Sequence, residues 1–278
     1  AHDQQSVEVA YNPDDDEYLL VWQDYRNGTD WGIYGQRVSA EGALLGENFV
    51  IADGLYNQLE PHLAYGSGAY LVTWRHYPSA SATYYYPLWE IVTGDGEVLE
   101  MVAGDIEINP TEQRTPTDVI YNSMSGQFLV LWQDLATEYW NVWGQHVMPT
   151  GAPVSLPIQI STLNTKHEDA AAGAYNPVTN EYLIIWRYRS SPSANGDVRG
   201  RRVTNDGVIS NKTIQISIKT ARQKAPDVAY AAAAGKYAVI WQDDRYAGTN
   251  GYDIYGRLVN SNGSLTGNSE YVIAANPA

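Results

Sequence analysis

The segment Glu17-Tyr18-Leu19-Leu20-Val21-Trp22-Gln23-Asp24 decides the fold, because an extended chain places its apolar side chains on two opposite faces. Tyr18 and Trp22 share one face of such a strand, whereas Leu19 and Val21 share the other. A strand with water on one side usually alternates apolar and polar residues. The segment therefore predicts a strand that is covered on both faces.

This pattern occurs five times, about every 55 residues. Each copy has a marker tryptophan near the end of the apolar strand and a marker tyrosine in the strand before it. The tryptophans are Trp22, Trp74, Trp132, Trp186 and Trp241, and the tyrosines are Tyr11, Tyr65, Tyr121, Tyr175 and Tyr230. Two further short runs, such as Ile33–Val38 and Phe49–Ile51, follow across Gly-containing turns. Each copy thus reads as four short strands, and no stretch has helical periodicity.

A four-stranded sheet that is buried on both faces and repeated five times predicts an all-β, five-bladed β-propeller of four-stranded antiparallel blades. We expect one domain over residues 1–278, with the first strand of each blade inside and the fourth at the rim. A solenoid or two stacked sandwiches is the alternative. The predicted blades span about 7–54, 61–109, 116–161, 170–217 and 226–275.

In blade number and repeat length the chain resembles the five-bladed tachylectin-type lectins. That resemblance covers the whole chain and implies several equivalent binding sites, whose combined avidity would exceed that of one site. No lectin motif matches, so no binding residue is transferred from those proteins. We also expect a secreted, bacterial-type protein.

Composition limits the partners and the chemistry. The 278 residues include 17 Lys and Arg against 32 Asp and Glu, a formal net charge of −15, which argues against a nucleic-acid or anionic-membrane partner. The absence of Cys excludes disulfides, thiolate metal sites and a Cys nucleophile. No apolar run reaches the length of a membrane span, and the N-terminal residues do not resemble a signal peptide. Few Lys and many Tyr favour an extracellular or cell-surface location; the oligomeric state is left open.

The loops between the second and third strands carry the candidate ligand-binding residues. These loops combine aromatic rings with amides and carboxylates, which suits sugars, since C–H faces stack on rings and hydroxyls bind polar groups. The predicted residues are Asp24, Trp31, His76, Trp89, Asp134, Trp140, Tyr188, Asp243 and Tyr246. The alternative for Asp24, Asp134 and Asp243 is a structural role, in which they bind loop amides or a nearby arginine. The alternative for the aromatic residues is packing between blades.

No cofactor is expected, with one weak exception. Asp14, Asp15 and Asp16 place three carboxylates in the first hairpin, which makes them candidates for calcium, although a solvated turn is the simpler interpretation. The five His residues have no metal-ligand spacing.

A second group of acidic residues supports a different function. Glu8, Asp118 and Asp227 each lie three residues before a marker tyrosine, where the other two copies have His62 and Ala172. Carboxyls from several first strands would line the inside of a propeller, and five-bladed glycoside hydrolases of the arabinanase and β-xylosidase type use three carboxyls there. The alternative is a charged lining of a water-filled channel or a bound cation.

The sequence therefore supports two main functions. The first is a non-catalytic extracellular binding propeller that recognises a glycan or a surface protein through its variable loops. The alternative is a glycoside hydrolase with carboxylates near the axis, or a structural subunit of a cell-surface assembly.

Overall fold

The computed structural model describes residues 2–99, 113–135, 138–246, 251–267 and 269–275. Within these residues, twenty β-strands form five sheets of four strands, and neighbouring strands of a sheet pair antiparallel. One short 3-10 helix, Ala232–Ala234, lies in the hairpin between the first two strands of the fifth sheet.

The strands follow one another in chain order within each sheet. The first sheet contains β1 (Gln4–Asn12), β2 (Glu17–Asp24), β3 (Gly32–Ser39) and β4 (Leu44–Ala52), and the second contains β5 (Gln58–Gly66), β6 (Ala69–His76), β7 (Tyr86–Thr93) and β8 (Val98–Leu99). The third contains β9 (Arg114–Asn122), β10 (Gln127–Asp134), β11 (Asn141–Val147) and β12 (Ile158–Gln159). The fourth contains β13 (His167–Asn176), β14 (Glu181–Arg189), β15 (Gly196–Thr204) and β16 (Ile214–Ser217), and the fifth contains β17 (Gln223–Ala231), β18 (Lys236–Asp243), β19 (Asp253–Asn260) and β20 (Tyr271–Ala274).

The chain divides into two compact units. Unit one contains Ala1–Ala136 and Gly144–Pro157, and unit two contains Thr137–Trp143 and Ile158–Ala278. Each unit has its own apolar core, formed where neighbouring sheets stack. The expectation of a single domain over residues 1–278 stays a prediction.

The second strands form the centre of these cores. The apolar residues of β6, β10 and β14 are buried on both faces, as the alternating pattern predicts. In β2 and β18 one face is buried and the other is partly open, with Tyr18 and Ile240 each 37% exposed. The buried face of β2 belongs to a core in which β2 packs against β5 of the second sheet.

The first strands lie side by side within each unit. β1 contacts β5, β5 contacts β9 in unit one, and β13 contacts β17 in unit two, so the predicted inner position of the first strand agrees with the packing. The first strands begin two or three residues earlier than the predicted blade boundaries. The fourth run predicted at Ile106–Ile108 lies outside the described residues; the fourth strand of the second sheet is Val98–Leu99.

Among the residues that the structure describes, Ala232–Ala234 is the only helical segment. In the part of the chain that the structure describes, no helix is long and apolar enough to cross a membrane.

Candidate functional site

The first strands of unit one bring Glu8, His62 and Asp118 to matching positions, three residues before the marker tyrosines. Oε1 of Glu8 lies 3.7 Å from Nδ1 of His62. Because β5 lies between β1 and β9, the three residues follow one another across neighbouring strands, and we call them the inner row. In unit two, Asp227 has the matching position on β17, and Ala172 has it on β13.

The inner row is accessible to solvent. The Glu8 side chain is 48% exposed, while His62 and Asp118 are half-buried. Asp227, its counterpart in unit two, is exposed. Carboxyls that are both ordered on strands and open to solvent can meet a dissolved substrate, which general acid–base chemistry requires.

His62 changes the electrostatics of this row. Burial lowers the pKa of His62 to about 4, so its imidazole is neutral at neutral pH. Its contact with Glu8 is then between a neutral ring and a carboxyl group rather than an ion pair. The row therefore contains acidic groups without a compensating positive charge from His62.

Backbone amides orient two of the carboxyl groups in the same way. The Val119 N–H donates to Oδ1 of Asp118 over 2.7 Å, and the Val228 N–H donates to Oδ1 of Asp227 over 2.7 Å. The same bond in two different sheets gives both side chains the same orientation relative to their strands.

A register shift precedes the position that matches Glu8 in all five first strands, and in four of them it contains a residue with positive φ. Ser6, Glu60, Ala170 and Ala225 have φ values of 54°, 54°, 50° and 47°, in the left-handed region that non-glycine residues rarely occupy. The strand register shifts at each of them. In the third sheet Pro116 takes this place, and the register shifts there too. Bulges of this kind bend a strand and redirect its side chains, and they are frequent beside active sites.

The aspartates of the Gln-Asp dipeptides are held within the fold. The indole Nε1 of Trp22 donates to Asp24 over 2.9 Å, and that of Trp241 donates to Asp243 over 3.1 Å. All three aspartates are buried. Each also binds a guanidinium group: Arg26 lies 2.5 Å from Asp24, Arg114 lies 2.8 Å from Asp134, and Arg245 lies 2.5 Å from Asp243.

These contacts favour the structural alternative for the three aspartates. Burial alone would raise the pKa of Asp24, but hydrogen bonds from Arg26 and Trp22 lower it to about 2. The pKa of Asp243 is lowered in the same way, against the effect of burial. A carboxylate that is buried and bound by its own loop has little capacity left for a ligand.

The other two sheets replace this aspartate with a different acceptor. Where the second strand has no aspartate after the marker tryptophan, the start of the first strand accepts the indole hydrogen bond. Trp74 donates to Gln58 over 2.7 Å, and Trp186 donates to Glu168 over 3.0 Å. The marker indole therefore donates a hydrogen bond in four sheets. Its acceptor lies on the second strand in two of them and on the first strand in the other two.

The remaining predicted loop residues occupy different environments. His76 is half-buried, lies 2.9 Å from Gln58, and has a pKa lowered by burial. Trp31, Trp140 and Tyr188 are also half-buried. Tyr246 is 74% exposed.

Trp89 lies in the core rather than on the loop face. Its side chain is 2% exposed, and its indole donates to the carbonyl oxygen of Gly151 over 2.9 Å. A ligand in solution has no access to this ring. Trp89 is therefore left out of the candidate site.

The three aspartates of the first hairpin do not converge on a common point. Tyr65 donates to Asp14 over 2.6 Å, the Asn12 amide donates to Asp15 over 2.9 Å, and Tyr11 donates to Asp16 over 2.7 Å. Within the described ranges, no group of three or more His, Asp or Glu side chains could hold a metal ion. Calcium binding at this hairpin has no support from its geometry.

Two acid–arginine pairs were missed by the sequence reasoning. The Arg75 side chain lies 2.9 Å from Glu60, and the Arg187 side chain lies 2.6 Å from Asp169. Both arginines directly follow a marker tryptophan, where the other three copies have Gln. That replacement, together with an acidic residue in the first strand of the same copy, is the signal that could have identified them.

Comparison with known proteins identifies similar solved structures but no matching family. No family model and no curated protein matches the sequence. Among solved structures, the chain is similar to an endo-arabinase from Bacteroides thetaiotaomicron, with 10% identity, a TM-score of 0.55, and coverage of 90% of this chain and 92% of that one. It is similar to a thermostable family-43 glycoside hydrolase, with 9% identity, a TM-score of 0.53, and coverage of 99% and 96%. It is also similar to an exo-β-1,3-galactanase from Clostridium thermocellum, with 10% identity, a TM-score of 0.58, and coverage of 92% and 60%.

These similarities confirm the predicted fold, a five-bladed β-propeller of four-stranded blades. The first functional prediction, a non-catalytic lectin-like binding propeller, is wrong, because the endo-arabinase, the family-43 glycoside hydrolase and the exo-β-1,3-galactanase share its fold. They favour the alternative that the sequence left open. The resemblance to tachylectin-type lectins is not confirmed.

Proposed function

We propose that the chain is a glycoside hydrolase whose reaction is performed by carboxyl groups of the inner row. The observation that carries the proposal is the pair Glu8 and Asp118, which take matching positions on inner strands of a fold that known glycoside hydrolases share. Asp227 has the matching position within unit two.

Glycoside hydrolysis needs two carboxyl groups with different tasks. One protonates the oxygen of the leaving sugar, and the other either activates water or attacks the anomeric carbon. Glu8 is open to solvent and sits beside the neutral ring of His62, whereas Asp118 is half-buried and held by the Val119 amide. Two carboxyls in unlike environments are what a division into acid and base requires.

The proposal includes the substrate class and the location. The similar structures include an endo-arabinase and an exo-β-1,3-galactanase, so we propose a polysaccharide of arabinose or galactose as substrate. Polymeric glycans of this kind are met outside the cell, and an extracellular or cell-surface location therefore belongs to the same proposal. The chain's partner is then a glycan.

The test is the release of reducing sugar from arabinan, β-1,3-galactan, xylan and a sialylated oligosaccharide by the purified chain. We expect turnover of arabinan or β-1,3-galactan, and a loss of at least about 100-fold in both Glu8→Gln and Asp118→Asn. Asp16→Asn is the matched control, since it removes one carboxylate from a hairpin and leaves the inner row intact. Binding of these glycans without release of product would contradict the proposal.

A further inference from the structure

Two arginines share one carboxylate at the beginning of the fourth sheet. Oδ1 of Asp169 accepts a hydrogen bond from Nε of Arg187 over 2.6 Å, and Oδ2 accepts one from Nη2 of Arg189. Asp169 is the register partner of Arg187, and its carboxylate is buried. The Asp169 carboxylate is thus shared by two guanidinium groups, while the neighbouring Glu168 carboxylate accepts hydrogen bonds from the Trp186 indole and the Leu163 amide instead.

Nε of Arg187 is hydrogen-bonded to Asp169, whereas the two Nη groups at the end of its guanidinium group are not bonded within the described part of the chain. Among the described residues, Nη1 and Nη2 of Arg187 make no hydrogen bond, and the side chain is 27% exposed. Gly196 makes this position possible, because a Cβ there would lie 2.9 Å from Cγ of Arg187 and 2.4 Å from the carbonyl oxygen of Gln223. The stem is thus fixed by close packing while the two Nη groups remain available.

Arg189 and His167 complete the cluster. Arg189 donates from Nη1 to the carbonyl oxygen of Pro192 over 2.5 Å and from Nη2 to Asp169. Both Nη groups of Arg189 therefore have an acceptor. His167 is the register partner of Arg189 and is buried, and its Nδ1 has no hydrogen-bond partner. Burial and the charge of Arg189 lower the pKa of His167, so the ring is neutral. The ring of Tyr139 lies 5.4 Å from it.

The second sheet has a related acid–arginine pair with a single guanidinium group. Glu60 lies 2.9 Å from Nη2 of Arg75, one carboxylate for one guanidinium group. Glu60 therefore contacts one Nη of Arg75, whereas Asp169 accepts only from Nε of Arg187. The comparison indicates that the fourth sheet, and not the second, retains capacity for an anion.

We propose that Arg187, Arg189, Asp169 and His167 form a binding site for the carboxylate group of an acidic saccharide, with Arg187 as the anchoring residue. The two Nη groups of an arginine match the planar carboxylate in a bidentate contact. The unpartnered Nδ1 of His167 is a buried polar atom of the same cluster, and the Tyr139 ring packs against the His167 ring. This site lies in unit two and does not depend on the hydrolase proposal.

The test compares a trimer of galacturonic acid with its trimethyl ester by isothermal titration calorimetry. The two probes differ only in the charge and hydrogen bonding of the carboxyl groups. We expect the acid to bind at least about tenfold more tightly than the ester, and Arg187→Gln to abolish that difference, since hydrogen bonds to charged groups are worth about this factor. Arg187→Lys keeps the charge without the fork, and we expect it to restore only part of the difference.

The control is Arg222→Gln, which removes an equal charge from unit two at an exposed arginine paired with Asp244. We expect this variant to bind both probes as the wild type does. Equal affinity of the wild type for acid and ester, or no binding of the acid at millimolar concentration, would overturn the proposal. An equal loss in Arg222→Gln would also overturn it, by showing an effect of net charge.

Competition by inorganic sulfate as strong as competition by galacturonate monomer would show that the site binds anions without regard to the carboxylate, which contradicts the proposal. Should Arg187→Gln not fold, the acid–ester comparison on the wild type and on Arg187→Lys decides.

Discussion

The indole Nε1 of Trp241 donates a hydrogen bond to the carboxylate of Asp243, two residues further along the same strand, over 3.1 Å. The same carboxylate accepts from Gln223 over 3.1 Å and binds Arg245 in the following loop. One buried group thus links the core tryptophan, the start of the inner strand and the loop. The sequence motif Gln-Asp has a structural purpose in this sheet.

Replacing this aspartate should destabilise the fold strongly. Asp243→Ala leaves the donors of Trp241 and Gln223 without their acceptor and removes one of the two carboxylates that bind Arg245. We expect a loss of about 3 kcal/mol in the free energy of unfolding, measured by urea denaturation followed through Trp fluorescence. Arg222→Ala, at an exposed ion pair, should cost less than about 1 kcal/mol. Similar costs for the two variants would refute the structural role of Asp243.

The depressed pKa of Asp24 predicts a loss of stability in acid. The native state holds this pKa at about 2, below the ordinary value of 3.8, so the unfolded chain binds its proton first as the pH falls. The contribution is fully present above about pH 4 and is lost as the pH falls towards about 2, with a size of about 2 kcal/mol.

The measurement is the free energy of unfolding of the wild type and of Asp24→Asn from pH 6 to pH 2. The variant should be less stable at pH 6 and should lose less stability than the wild type below pH 4. Parallel curves for the two proteins would contradict the assignment.

The lowered pKa of His62 predicts a second loss of stability in acid, separate from that of Asp24. The native pKa of about 4 lies below the ordinary value of 6.5, so between these values the unfolded chain binds a proton that the native chain does not. Stability should therefore fall as the pH decreases from about 6.5 to about 4, by up to about 3 kcal/mol. His62→Gln should flatten the profile in this range, while His2→Gln, at an exposed histidine, should leave it unchanged. An unchanged slope in His62→Gln would show that the ring is not held neutral.

Substitutions of Trp89 and Tyr246 compare the stability contribution of a buried ring with that of an exposed ring. Trp89→Ala removes a buried ring and its bond to Gly151, and we expect a cost of about 3–5 kcal/mol in unfolding free energy. Tyr246→Ala, at a ring 74% exposed, should change stability by less than about 0.5 kcal/mol. Thermal and urea unfolding of both variants measure this. A Trp89→Ala variant of wild-type stability with altered glycan binding would place the ring on the loop face instead.

The repeat could be predicted from the sequence because the signal is local and occurs five times. Tyr70 to Trp74 shows it directly, since every residue of that run is apolar or small and both faces are buried. Alternation with a period of two determines which side chains share a face, and the marker residues set the register of each copy.

The candidate site could be predicted only in part. The matching positions of Glu8 and Asp118 follow from the repeat, and the structure places them on β1 and β9, the strands on either side of β5. The bulges at Ser6 and Glu60 could not be predicted, because neither residue is a glycine and the left-handed backbone is imposed by the surrounding sheet. The Trp89 environment was missed because a departure from the repeat resembled a specialised surface, whereas the ring fills space against the backbone of Gly151.

The measurement that tests the central proposal most directly is kcat/KM for hydrolysis of the best substrate in the glycan panel, compared among the wild type, Glu8→Gln, Asp118→Asn and the control Asp16→Asn. The hydrolase proposal predicts turnover by the wild type and the control, with a loss of at least about 100-fold in both inner-row variants. Folded inner-row variants that retain wild-type turnover, or a wild-type chain that releases no product from any glycan, would contradict it.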